Sequence, residues 1–305
     1  MRLYRLPSFL CVFAYLLLVS QTSAASVNVL TCEPEWKALA EAIGGNRIDA
    51  YSATTAMQDP HNVQARPSLI SKARRADLLI CSGAELEVGW LPILLRKSSN
   101  PNIQPHAAGY FMAADHVELM GQPTLLDRSQ GDVHAAGNPH VHLAPYKVLD
   151  IAEKLSLRLQ EIDRENATFY QEKLMSFTFR WNEAIKNWSN KAKPLKGTKA
   201  VTHHRDWIYL FHWLGIEEIA NLEPKPGIPP NAGHLAKLKS LLEKQPVDFI
   251  VRTAYQEERP SKWLADKTGI TAIQLPFTVG GNKNASDLFS LYDEMIDLLL
   301  EAQTN

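Results

Sequence analysis

The sequence predicts an α/β protein of two lobes, each a mostly parallel sheet flanked by helices, joined by one long backbone helix. Three observations predict it. Short apolar runs bounded by Gly, Pro and Asn alternate with helical patterns from Val27 to about residue 103. A helical pattern then runs from about Pro145 to Trp188, far longer than an average helix. After it the alternation restarts at Lys199 and continues towards the end of the chain. Strands that alternate with helices favour a parallel sheet. A chain of 305 residues with 45% hydrophobic content is long enough for two such units.

The elements follow in order. Met1-Arg2-Leu3-Tyr4-Arg5 is positive, Ser8 to Val19 is apolar, and Ser20 to Ala25 is small and polar. This is the pattern of a cleaved secretory signal over 1–25, and the apolar run is shorter than the roughly 20 residues a membrane span needs. Cys11 lies inside that run, too early for lipid attachment. A first lobe is expected over 26–144. Its strands are Val27–Leu30, Ile48–Ser52 and Leu78–Cys81, with a fourth from Ile103 onward. Its helices are Pro34–Ile43, Pro67–Ala76 (with proline in the first turn) and Ala84–Lys97. Gly121 to Pro139 reads as a loop. The connecting helix is expected over 145–192, with a break near Asn166 possible on pattern. The second lobe, 193–305, has strands at Lys199–Thr202, Ile216–Ala220, Phe249–Arg252 and Ala272–Leu275. Its helices are Trp207–Trp213, Asn231–Lys244, Pro260–Thr268 and Leu288–Ala302. Trp36, Trp90, Trp207, Trp213 and Trp263 fall at helix starts or on helical faces, which reads as packing and not as a sugar platform.

Charge and cysteines narrow the chemistry. With 33 acidic and 32 basic residues and no basic run, nucleic acid is not an expected partner. Export leaves Cys32 and Cys81, each near the C-terminal end of a buried-strand pattern. If those strands are parallel neighbours, the sulfurs meet in a disulfide; otherwise they are two buried thiols.

The histidines carry the functional signal. His61 lies in "QDPHN" after the second strand. His140 lies in "GNPHVH" before the long helix, and His203 and His204 lie in "VTHHRDW" after the first strand of the second lobe. Ligands of open α/β sheets bind beyond the carboxyl ends of strands, so these loops converge on one cleft. Neutral imidazoles on stiff loop bases suit a tetrahedral Zn²⁺ site with one position left over, and the prolines before His61 and His140 hold them in place.

The stretches "QDPHNVQARPSLI…ADLLICSGAELEVGW", "GNPHVHLAP" and "AVTHHRDWIYLFHWLGI" resemble the zinc/manganese-binding solute-binding proteins of bacterial ABC importers, in order and spacing over essentially the whole mature chain. The resemblance implies two α/β lobes on a backbone helix with metal between them. It implies Zn²⁺ as transported ligand, held by His61, His140 and His204, a membrane ABC permease as partner, a periplasmic monomer, and no enzymatic activity. His203 is expected in a supporting or surface role. Two departures from the family pattern stand out. His142 and Ala144 replace the usual Trp and Asp, and "LPFTVGGNKN" lacks the usual fourth-ligand carboxylate. Glu258, Glu257, His142 or a water remain open for that place. Mn²⁺ or Fe²⁺ uptake is the alternative function. A secreted zinc enzyme is a weaker one, since no His-Glu-x-x-His pair or Gly-x-Ser-x-Gly elbow is present.

Overall fold

The computed structural model describes residues 26–123 and 134–304. The expected signal segment and residues 124–133 of the expected 121–139 loop therefore lie outside the described residues. Among the described residues two four-stranded sheets are formed, and the strands within each sheet pair in parallel. In the first lobe β1 (Val27–Thr31), β2 (Ile48–Ser52), β3 (Leu78–Cys81) and β4 (Tyr110–Met112) lie in the order β2-β1-β3-β4. In the second, β5 (Lys199–Thr202), β6 (Glu217–Asn221), β7 (Phe249–Arg252) and β8 (Thr271–Gln274) repeat that order as β6-β5-β7-β8. β3 is fully buried along its length, as its unbroken Leu-Leu-Ile-Cys run requires of a strand covered on both faces.

Two helical faces cover each sheet. On the outer side of the first lobe, α2 (Pro67–Arg75) and α3 (Leu91–Ser98) close a small core around Leu69, Leu79 and Leu94. On the outer side of the second, α7 (Ala232–Leu242) and α8 (Glu258–Thr268) do the same around Leu235, Ile250 and Leu264. The inner faces share one continuous core. It runs through α1 (Pro34–Gly44), α4 (Pro145–Ile162), α5 (Ala167–Lys191), α6 (Ile208–Leu214) and α9 (Leu288–Thr304). Trp36, Phe177, Trp181, Trp188, Trp207 and Tyr292 are all buried in it. Removing an aromatic of this kind typically costs ~3–5 kcal/mol through lost burial and the cavity left behind. Of the other tryptophans expected as packing, Trp90 is buried in the outer core of the first lobe, while Trp213 and Trp263 are half-buried against the shared core and the outer core of the second lobe.

Three expected elements differ. The helix expected from Ala84 begins only at Leu91. Ala84 and Glu85 take positive φ, and Glu87 folds back to accept hydrogen bonds from Ser82 N (2.8 Å) and Gly83 N (3.1 Å). The fourth strand is at Tyr110–Met112 and not at Ile103, which ends a short 3-10 turn. The 145–192 segment is two helices. Asp163 leaves helical geometry, and its carboxylate accepts from Asn166 Nδ2 (2.8 Å) and Tyr170 OH (2.6 Å). The chain then reverses. Trp181 Nε1 donates to Pro145 O (2.8 Å) and Ser156 Oγ to Tyr170 O (3.2 Å), so α4 and α5 run antiparallel. α5 alone is the long helix between the lobes, packed on α1 of the first and α9 of the second.

Cys32 and Cys81 are joined by a disulfide between the ends of the adjacent strands β1 and β3. Among the described residues no helix is long and apolar enough to cross a membrane.

Candidate metal centre

The structure brings His61, His140 and His204 together. Each offers a ring nitrogen, and these atoms lie within 4.8 Å of one another. The loop after β2 supplies the first. Asp59 Oδ1 accepts from His61 N (2.9 Å) and lies 2.8 Å from His61 Nδ1, while Trp90 Nε1 ties down Pro60 O (2.8 Å). With Nδ1–H given to Asp59, Nε2 keeps its lone pair for the cleft. Burial pushes the Asp59 carboxyl up, but the His61 contact outweighs it and holds the group down at about 2.

His204 follows β5 and is built the same way. Its Nδ1 lies 2.6 Å from Glu223 Oε2, which also accepts from Gly227 N (2.9 Å). Burial disfavours its charged form, but Asp206 and Glu223 outweigh that and raise it to about 9. A cation entering the site has to displace that proton. His140 sits between the lobes, with its backbone N–H accepted by Asn138 Oδ1 (3.0 Å). Asn138 is held in turn by Tyr209 OH on its carbonyl (2.7 Å) and by donation to Arg205 O (2.8 Å). Both ring nitrogens of His140 are buried without a hydrogen-bond partner. Burial and the neighbouring histidines push it well below the ordinary histidine range, so it is neutral and able to ligate.

Two residues outside the expected ligand set stand at the same place. His134 stacks on His61 with ring centroids 5.5 Å apart and Nε2 to Nε2 at 3.4 Å. Burial and the charges of His61 and His204 lower it to about 4. Asp206 is fully buried, with Oδ1 3.5 Å from His140 Nε2. Burial raises its carboxyl and the His204 charge pulls it back. Neither belongs to the ligand set expected from the sequence. A lone His in a loop of little periodicity and an Asp two residues beyond His204 have no spacing signal of their own.

The other candidates fall elsewhere. His142 is buried with Nδ1 3.1 Å from Glu35 Oε1 and Nε2 3.0 Å from Phe277 O, so its nitrogens face a carboxylate and a carbonyl in the packing between lobes. His203 is buried and not on the surface, its Nε2 4.0 Å from Glu223 Oε1. Glu257 and Glu258 are both exposed, paired with Arg259 (2.6 Å) and Arg252 (3.6 Å). The residue of that turn that faces the centre is Gln256, which donates to Asp206 Oδ2 at 2.7 Å.

A cluster of imidazoles, His61 and His204 each backed by a carboxylate and His140 and His134 kept neutral by burial, forms a place to bind a cation. Comparison with known proteins agrees with that. The family model described as zinc-uptake complex component A, periplasmic (ZnuA), matches residues 29–302. A manganese ABC transporter substrate-binding lipoprotein, PsaA of Streptococcus pneumoniae, is 23% identical over 285 residues, covering 90% of this chain and 87% of that protein. The crystal structure of a zinc-bound ZnuA deletion mutant superposes with TM-score 0.72 at 18% identity, covering 90% of this chain and 98% of the other. The manganese-bound periplasmic metal-binding protein of candidatus liberibacter asiaticus gives 0.71 at 17% identity, with 90% and 100% covered. At those identities the structural likeness is one of fold.

Proposed function

We propose, for a chain that belongs to the zinc-uptake component A family of metal-binding proteins of ABC importers, that the cargo is Zn²⁺. The family is one of transport binding proteins and not of enzymes. In this reading the protein works outside the cytoplasm, in the periplasm after cleavage of its leader, and as a monomer. It takes up one Zn²⁺ between the lobes through His61, His140 and His204 and hands it to the membrane permease.

The observation that carries the choice of zinc is the donor set: three imidazoles within 4.8 Å, with His134 beside them. Imidazole suits zinc, whereas manganese and magnesium favour oxygen-rich shells. Tetrahedral Zn–N bonds of roughly 2.0–2.1 Å put ligand atoms about 3.4 Å apart, so drawing the three together is a small local movement. The second reading is Mn²⁺, the metal for which the pneumococcal relative is named.

Affinity alone does not separate the two, because most nitrogen sites bind Zn²⁺ more tightly than Mn²⁺ whatever their task. The deciding measurement is the metal content of protein isolated from its native compartment without chelators. Close to one zinc per chain is expected; predominant manganese overturns the zinc reading. His61→Ala, His140→Ala or His204→Ala should each leave the isolated protein nearly metal-free.

A further inference from the structure

We propose that Asp206 is the fourth ligand, its Oδ1 completing a His61–His140–His204–Asp206 shell around the cargo ion. This rests on the three-histidine reading above and deepens it.

Asp206 is 0% exposed, and its Oδ1 accepts no hydrogen bond. A buried carboxylate oxygen without a partner is costly, and such an orphan calls for an explanation such as an ion that belongs there. Oδ1 is aimed at the site. It lies 3.5 Å from His140 Nε2, an atom that is itself buried and unpartnered. Metal–nitrogen and metal–oxygen bonds of roughly 2.0–2.2 Å in a tetrahedron place neighbouring ligand atoms about 3.3–3.6 Å apart. The observed separation is that of two ligands sharing one small cation.

The supporting contacts repeat a pattern. His61 and His204 each have their rear nitrogen beside a carboxylate, from Asp59 and Glu223. Asp206 has its rear oxygen, Oδ2, held by Gln256 Nε2 at 2.7 Å, and Gln256 Oε1 is fixed by Thr253 N at 2.8 Å. The intervening Arg205 points outward, 3.9 Å from Glu218, so the turn after His204 directs two of its three side chains inward. Charge favours the same assignment. Three neutral imidazoles leave a buried ion with its full double charge, and a directly bound carboxylate lowers it. The second lobe thus replaces the missing acid of "LPFTVGGNKN" with one carried on its first strand-end loop.

Two other arrangements use the same atoms. His140 Nε2–H could donate to Asp206 while Nδ1 binds metal, or His134 could fill the fourth place. A crystal structure of the zinc-loaded mature chain separates them. An Oδ1–zinc distance of about 2.0–2.2 Å is expected. Oδ1 beyond about 3 Å, with water or His134 in the shell, overturns the proposal. In solution, Asp206→Asn keeps the shape and the Gln256 contact but removes the charge. It should lower zinc affinity about 100-fold by chelator competition, shift the visible spectrum of the Co²⁺-substituted protein, and leave the metal-free melting temperature equal or higher. Wild-type affinity and spectrum in Asp206→Asn, with His140→Ala still defective, refute Asp206 alone. Wild-type affinity in all the histidine variants as well refutes the three-histidine site itself.

Discussion

The two lobes end their central strands alike and use the ends differently. Cys32 N donates to Ile80 O at 2.8 Å, and His203 N donates to Val251 O at 2.8 Å. Thr54 N reaches Cys32 O at 3.1 Å, and Glu223 N reaches His203 O at 3.1 Å. By these matching bonds Cys32 stands where His203 stands, Glu33 where His204 stands, and Thr54 where Glu223 stands. Both pairs of strand ends are the point where the chain switches from one side of the sheet to the other, the usual ligand crevice of an open α/β sheet. In the second lobe it carries an imidazole beside its carboxylate. In the first it is stapled by the Cys32–Cys81 disulfide and filled by Glu33 and Glu87 around Ser82. Burial raises both carboxyls, Glu33 well above its ordinary range and Glu87 to about 7. The first lobe therefore presents its histidine from the neighbouring loop, after β2. One backbone end can serve as ligand holder or as structural joint, and side-chain chemistry decides which.

The contrast predicts opposite outcomes at equivalent positions. His204→Ala should weaken zinc binding by about 100-fold or more, as loss of one of a few strong ligands. Glu33→Gln should leave it within about threefold. Chelator competition measures both, and a large loss in Glu33→Gln would remove the distinction between the two strand ends.

Next in size is the staple. The bridge closes a separation of 49 residues, for which chain entropy gives about 4 kcal/mol. Cys32→Ala/Cys81→Ala should lose roughly that much in urea unfolding of the metal-free protein while keeping wild-type zinc affinity. A loss of affinity instead would make the joint part of the binding apparatus.

The smallest effect sharpens the role of the buried acids. Glu87 is raised from 4.5 to about 7 in the folded chain. The folded state then binds more protons than the unfolded state between those values, so this stability is present below about pH 4.5 and is lost as pH rises through about 7. Glu87→Gln removes the dependence. It should be more stable than wild type at pH 8 by of order 1–3 kcal/mol, with the advantage shrinking towards pH 5. An advantage that does not change with pH would refute a carboxyl held protonated there.

How much was legible can be judged residue by residue. Ile48–Ser52, Leu78–Cys81, Lys199–Thr202 and Phe249–Arg252 were placed to the residue, because short apolar runs cut off by polar turns leave little freedom in register. The break at Asp163 was blurred, since it holds no Pro or Gly and depends on one aspartate turning back on the chain. The start of α3 was misplaced because "GAELEVGW" has helical composition, and only the buried Glu87 contact with Ser82 and Gly83 shows why it does not form a helix. The two-lobed α/β class, the export signal as an expectation, and the His-bearing loops followed from the sequence, because periodicity and turn residues are local properties. Which atoms share the cleft was decided by tertiary structure alone. His134 against His61 and Asp206 against His140 are contacts between segments distant in sequence or set by the path of a turn, whereas the Cys32–Cys81 bridge was legible up to the condition that β1 and β3 be neighbours, which the sheet order meets. His142 and Glu258, equally plausible on paper, are drawn by Glu35 and Arg252 to other places, because a side chain goes to the partner that packing puts within reach.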